Sequence, residues 1–493
     1  MDSETRDSLN PAQSPLAMQL RERARRWRRW VALAGVLLLA AWFARFAYLR
    51  ITLRPAPRPE YWEAQLAALD PPPPGALSFE AVRSLLTSRA WEKRYNPPVP
   101  VSSAARIIRA DPERLLEGPW SMERAEVLSA IEVFMTAEFR TERQQLLEAL
   151  QTGWEEPISM QPGSYQKHLN DYQAWAEWLA IHGRWALATA DTQSATEDWL
   201  GLLRFARQAL HGRTPAHVGW SRRVMSMAAI ELMLAVREST EPLDSRRIEQ
   251  TIYTLFPNEV APGQLLAGQR LAALCDLESI YVREGDGWLD LCDTIKVRGG
   301  FNLGVPPPSR WWNLASPLFH DFTTATRELE RCYQRMEACT DLTAWHSMYA
   351  VSGRYQYERH DILHGILPGA YARPGPDTLE MAYRSWTRLN AAAAMHALAA
   401  WRQERGKYPE SLTELVPEYL PALPIDYGDR QPLRYRRLRE HYLLYSIGND
   451  GQDDGGIGPS WLTRSVGPGS DIVFTAVRRK DLEDAAAGMP MRR

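Results

Sequence analysis

The chain has 493 residues, 45% hydrophobic and 24% charged, with a net charge of −2. That length and balance suit roughly two to four globular domains. The near-neutral charge excludes a global electrostatic attraction to nucleic acid. The 19 Trp residues are scattered along the chain. Scattered aromatics fit packed helical cores better than a carbohydrate platform.

The first element is an apolar run between Trp30 and Leu49. About 20 helical residues match a hydrocarbon core about 30 Å thick. Trp27, Trp30, Trp42 and Tyr48 suit the two interfaces, and Arg45 lies near the distal end, where its stem reaches the headgroups. Arg21, Arg23, Arg25, Arg26, Arg28 and Arg29 precede the run, whereas only Arg50, Arg54 and Arg58 follow it closely. The positive-inside rule then puts the N-terminus in the cytoplasm. No small-x-small cleavage site follows, so the segment is expected to stay as an anchor. Val224–Val236 is short and interrupted by Glu231. The expected layout is a cytoplasmic basic tail (1–29), one transmembrane helix (30–49) and a Pro-rich linker (50–75). The bulk is expected in the periplasm, on the outer side of a bacterial inner membrane.

Residues 76–366 read as a helical domain. Apolar spacing of three and four predicts helices over Arg124–Leu150, Asp171–Ala190, Ser221–Glu238, Ser245–Phe256 and Phe322–Ala338. Ser194 and Glu197 suggest a capping box opening a further helix that ends near Gly212. Successive short helices imply either a helical-repeat-like array or an irregular bundle. Either presents a surface for partners, and a tetratricopeptide-type adaptor is one reading.

Cys275, Cys292, Cys332 and Cys339 all follow the anchor. An even number in an oxidising compartment favours two disulfides, with buried thiols as the alternative. Cys332 and Cys339 share a helix face but lie too far apart to bond each other, so each would pair with Cys275 or Cys292. The absence of a C-x-x-C knuckle argues against structural zinc at these thiols. His360 and His364 stand four apart with Asp361 between, which raises a metal-dependent hydrolase as an alternative. Asp is shorter than the Glu that such a motif needs, and Gly365 and Pro368 end the helix. His211 and His217 flank a loop and suggest nothing specific. No G-x-S-x-G, P-loop or G-x-G-x-x-G occurs, so no catalytic residue or small-molecule substrate is assigned.

Residues 367–377 are dense in Pro and Gly and read as a linker to a module at 378–480, before a tail at 481–493. The module opens with an Ala-rich helix, Thr378–Arg405, stopped by Gly406. Leu433–Arg437 and His441–Ile447 read as two antiparallel strands, followed by an acidic, Gly-rich loop at Gly448–Gly456. The helix ends in Gly406-Lys407-Tyr408-Pro409, followed by Leu412, Leu415, Val416-Pro417, Tyr419-Leu420-Pro421, Leu423-Pro424 and Asp426. Then come Pro432-Leu433-Arg434-Tyr435, Tyr442–Gly448, Asp450-Gly451, Asp453–Gly456 and Asp471-Ile472. In this order the stretch resembles the C-terminal domain of the major pseudopilin of type II secretion systems. The resemblance covers Thr378–Val477. It implies an α+β module, a long helix on a small antiparallel sheet, with a calcium ion pinning the acidic loop and secretion or other envelope proteins as partners. Calcium takes six to eight oxygens, and Asp450, Asp453, Asp454 and Asp471 are the candidate carboxylates, with Ser446 or Asn449 as further donors. A solvated acidic turn is the alternative. An EF-hand is rejected, because Gln452 and Trp461 stand where it needs an acid and the bidentate Glu. The expected protein is mostly α and non-enzymatic, a membrane-anchored scaffold.

Overall fold

The structure is a computed structural model that describes residues 15–51, 59–88, 132, 135–158, 167–239, 243–256, 262–280, 322–347, 374–438, 441–448, 451–456 and 471–474. It is mostly helical, with a small antiparallel sheet near the C-terminus. The chain divides into two compact units.

The first unit holds helix α1, Pro15–Ile51. Its stretch Arg21–Tyr48 is long and apolar enough to cross a membrane, and none of its apolar window is buried. Leu38 is 71% exposed and Val36 63%. Helical geometry satisfies every backbone group within the segment, as a lipid environment requires.

The second unit contains α2 (Pro59–Ala68), α3 (Phe79–Ser88), α4 (Ala137–Thr152), α5 (Lys167–Ala188), α6 (Thr192–Leu210), α7 (Pro215–Glu238), α8 (Ser245–Leu255) and most of α9 (Pro262–Ile280). It continues with most of α10 (Phe322–Glu337), then α11 (Pro374–Arg405), a 3₁₀ turn at Leu412–Leu415, and strands β1 (Arg434–Leu438), β2 (His441–Ser446) and β3 (Ile472–Val473).

Caps decide where these helices begin. Thr136 accepts from Phe139 N at the start of α4, Thr214 from His217 N at α7, and Asp244 from Arg247 N at α8. The expected capping box at Ser194 and Glu197 is not used. Asp191 caps α6 instead, accepting from Ser194 N at 3.0 Å, so the helix starts at Thr192. A carboxylate accepts this bond more strongly than a hydroxyl one turn later.

Helices α5, α6 and α7 pack in succession, α4 lies on α6, and α8 lies on α6. Gly183 and Gly201 mark close approaches. A Cβ at Gly201 would stand 2.5 Å from Leu147 Cδ2, and one at Gly183 2.7 Å from Trp199 Nε1. Trp154, Trp175 and Trp199 are fully buried, which agrees with reading the Trp residues as core.

Helix α11 packs along α7 and α8, far back in the sequence. Its run Ala391–Ala394 is wholly buried, as are Ala228, Ala229 and Ala235 of α7. Small side chains let the two helices approach closely. Ser226 and Ser385 hydroxyls meet at 3.0 Å, and His396 Nε2 donates to Leu232 O at 3.0 Å. The segment after 367–377 shares one compact unit with the helices before it.

From α11 the C-terminal segment folds back. Asn390 Nδ2 donates to Ile425 O at 2.8 Å, and Tyr427 stacks on Tyr383 with centroids 5.6 Å apart. The sheet runs β1-β2-β3, all antiparallel, with Arg434 opposite Tyr445 and Ser446 opposite Ile472. The β1–β2 hairpin lies one residue from its expected bounds, and β3 contains Ile472 of the predicted Asp471-Ile472 pair.

Glu249 is buried on α8, and its Oε1 has no hydrogen-bond partner among the described residues. Burial pushes its carboxyl up to about 8, with Arg246 partly opposing. A carboxyl raised in the fold favours folding below its unfolded pKa, and that contribution is lost as pH rises from about 4.5 through 8. Glu249→Gln should therefore stabilise the protein by about 4 kcal/mol at pH 8 and by little at pH 4, read from melting curves. Equal shifts at both pH values would contradict this account.

Candidate functional site

Two polar clusters are candidates, one expected at the acidic loop and one that the sequence reading missed.

The acidic loop is built on left-handed glycines. Gly448, Gly451, Gly455 and Gly456 have φ of 70°, 70°, 73° and 81°. Only glycine adopts such angles without strain. Asp453 Oδ1 accepts from Tyr445 Oη and from Gly455 N, both at 2.9 Å. Asp471 is fully buried. Its Oδ2 accepts from Gly456 N at 2.7 Å, while Oδ1 has no hydrogen-bond partner among the described residues. Burial pushes the Asp471 carboxyl up. The Gly456 and Asp454 N–H groups oppose this, and the charges of Asp453 and Asp454 add to the rise. Asp453 and Asp454 thus lie near enough for their charges to act on Asp471. Asp450 and Asn449 lie outside the described residues. Ser446 is engaged elsewhere: its Oγ donates to Asp426 Oδ1 at 2.8 Å and accepts from Gly448 N at 3.1 Å.

Asp426 organises the base of this loop. Besides Ser446, it accepts from Gly428 N at 2.8 Å and Ile447 N at 2.9 Å, with Arg434 Nη1 at 3.4 Å. Burial pushes its carboxyl up, and these donors pull the other way. In the sequence Asp426 is one motif letter. Its role depends on the return of β2 past it, which spacing does not reveal.

The second cluster lies in the helical body. Gly153, with φ 77°, turns the chain out of α4, and Trp154 bridges to Leu77. This places Glu156 inside, its side chain 1% exposed. His168 stands in the first turn of α5 and His217 in the first turn of α7. Their Nε2 atoms are 2.9 Å apart. Glu156 Oε1 lies 3.4 Å from His168 Nε2 and 3.2 Å from His217 Nε2. These three ligand atoms form the one group of metal-capable side chains found among the described residues. Around them, Tyr172 Oη donates to Glu156 at 3.0 Å and accepts from Trp154 Nε1 at 2.9 Å. Gln208 Nε2 donates to Glu156 Oε2 at 3.0 Å and to Trp154 O at 2.8 Å. Thr214 Oγ1 lies 2.6 Å from His217 Nδ1. Burial works to raise the Glu156 carboxyl, yet hydrogen bonds with His168 and His217, the His217 charge and Gln208 bring it down to about 2. Burial and the facing carboxylate raise the Tyr172 phenol far above its usual range, so it stays a neutral donor.

Three of the sequence's cysteines are described. Cys275 and Cys339 are buried and Cys332 is half-buried. Burial pushes the Cys332 and Cys339 thiols up. Cys292, His360 and His364 lie outside the described residues. Set against known protein families, characterised proteins and solved structures, the chain matches none.

Proposed function

We propose that this chain is a single-pass protein of the bacterial inner membrane, with its N-terminus cytoplasmic and its folded body in the periplasm. The carrying observation is α1: an apolar stretch with nothing buried along it, preceded by a dense run of arginines. An uncovered apolar helix of that length has a lipid core as its natural environment.

The body acts as a non-enzymatic scaffold. Its bundle binds envelope partners, and its C-terminal segment is a pseudopilin-like module placed beside secretion machinery. The long α11, the antiparallel sheet and the glycine-built loop support that reading. Calcium is the ion for the loop. Asp471 is buried beside Asp453 and Asp454, and a hard cation satisfies such an oxygen set.

An alkaline phosphatase fused after Arg493 should be active, since that reporter matures only outside the cytoplasm. An inactive but intact fusion would overturn the topology. Separately, calcium should raise the melting temperature of the full chain in detergent by several degrees, and Asp453→Ala with Asp454→Ala should abolish the rise. A wild-type protein indifferent to calcium would remove the ion from this reading.

A further inference from the structure

The Glu156, His168 and His217 cluster brings three metal-ligating atoms into mutual contact. Two imidazole Nε2 atoms face each other at 2.9 Å, and the same carboxylate oxygen stands 3.2 and 3.4 Å from them. The three ligand atoms thus form a nearly equilateral triangle. Tetrahedral zinc with ligands at about 2.0–2.1 Å sets its ligand atoms about 3.3 Å apart. The two edges to Glu156 lie close to that value, and the 2.9 Å edge between the imidazoles is shorter. An ion slightly above the plane of the triangle would reach each atom at bonding distance.

Charge points the same way. Glu156 is buried, and its described partners are His168, His217, Tyr172 and Gln208, with no Lys or Arg among them. A buried carboxylate needs a compensating positive charge. A divalent cation supplies it without forcing either imidazole to hold an extra proton.

The surroundings match those of metal-bound histidine. A ligating imidazole donates its other N–H to a nearby acceptor, which fixes the tautomer. Thr214 Oγ1, 2.6 Å from His217 Nδ1, is placed for this role, and the same oxygen caps α7. The loop before it is tight: a Cβ at Gly212 would lie 2.4 Å from the His217 ring. Tyr172 and Gln208 hold the carboxylate from its other side. Two imidazoles and one carboxylate suit a borderline ion such as zinc, and calcium prefers oxygen alone.

We propose that Glu156, His168 and His217 bind one divalent transition-metal ion, with zinc the best match, and that the ion ties the 153–158 segment to the first turns of α5 and α7. Three protein ligands leave a fourth position to water. Side-chain exposures of 0% at His217, 1% at Glu156 and 13% at His168 keep a larger substrate out, so the ion is a structural tie.

The test uses untagged full-length protein in detergent, stripped of metal with a chelator, dialysed against micromolar zinc and assayed by mass spectrometry. The wild type should take up about one zinc per chain and melt several degrees higher than the stripped form. His168→Ala and His217→Ala should lose both effects. Should His217→Ala fail to fold, Thr214→Val is the second probe. It keeps the three ligands and should weaken zinc binding by about 10–100-fold. Asp453→Ala should retain zinc fully. Stripped wild type that binds no zinc, or His168→Ala that binds it as well as wild type, would overturn the proposal. So would loss of zinc on Asp453→Ala alone, which would move the ion to the acidic loop.

Discussion

The contact between α7 and α11 holds the second unit together. Alanine lines both sides, so the helix axes approach closely and dispersion contacts accumulate over several turns. His396 shows how tightly that seam is closed. It is fully buried, donates to Leu232 O and meets the Ser245 hydroxyl at its other nitrogen. Burial lowers its pKa to about 4, so it stays neutral inside the seam at ordinary pH. The opposite side of α11 carries Tyr383, Asn390 and Trp401 onto the C-terminal segment. One helix therefore serves two neighbours, and the sheet and acidic loop inherit their position from it.

Buried charge ties the helices of the second unit to one another. Asp198 on α6 takes Arg143 Nε of α4 at 2.6 Å and faces His182 Nδ1 of α5 at 2.5 Å, tying three helices at one carboxylate. Arg184 of α5 and Glu231 of α7 form a two-pronged pair between helices. Such groups are costly to bury unless every charge finds its partner. They favour one register of the bundle over its slipped alternatives.

The sequence revealed whatever depends on local pattern. The apolar run became α1, the Ala-rich stretch became α11, Gly406 stopped it with φ 73°, and the strand pair fell within a residue of its expected place. Ser194 misled because Asp191, three residues earlier, offers the stronger acceptor. The linker expected at 367–377 is a statement about local pattern alone. Pro and Gly mark a break in local structure and say nothing about what the next helix packs against. The Glu156 cluster was illegible for the same reason: residues 156, 168 and 217 come from three segments, and no spacing rule links them. The one available signal was weak, a histidine three residues after a capping threonine at the start of α7. Asp426, by contrast, stood in the motif, and only the fold shows it gathering Gly428, Ser446 and Ile447.

If α11 joins the helical body to the C-terminal segment, the two must open together. Native-state hydrogen exchange on the full chain measures this directly. The account predicts that the best-protected amides of α7, α11 and β2 exchange at one shared free energy, that of global unfolding. Early exchange across α11 and β2, with α5 to α7 still protected, would show two separately folding parts and contradict the account.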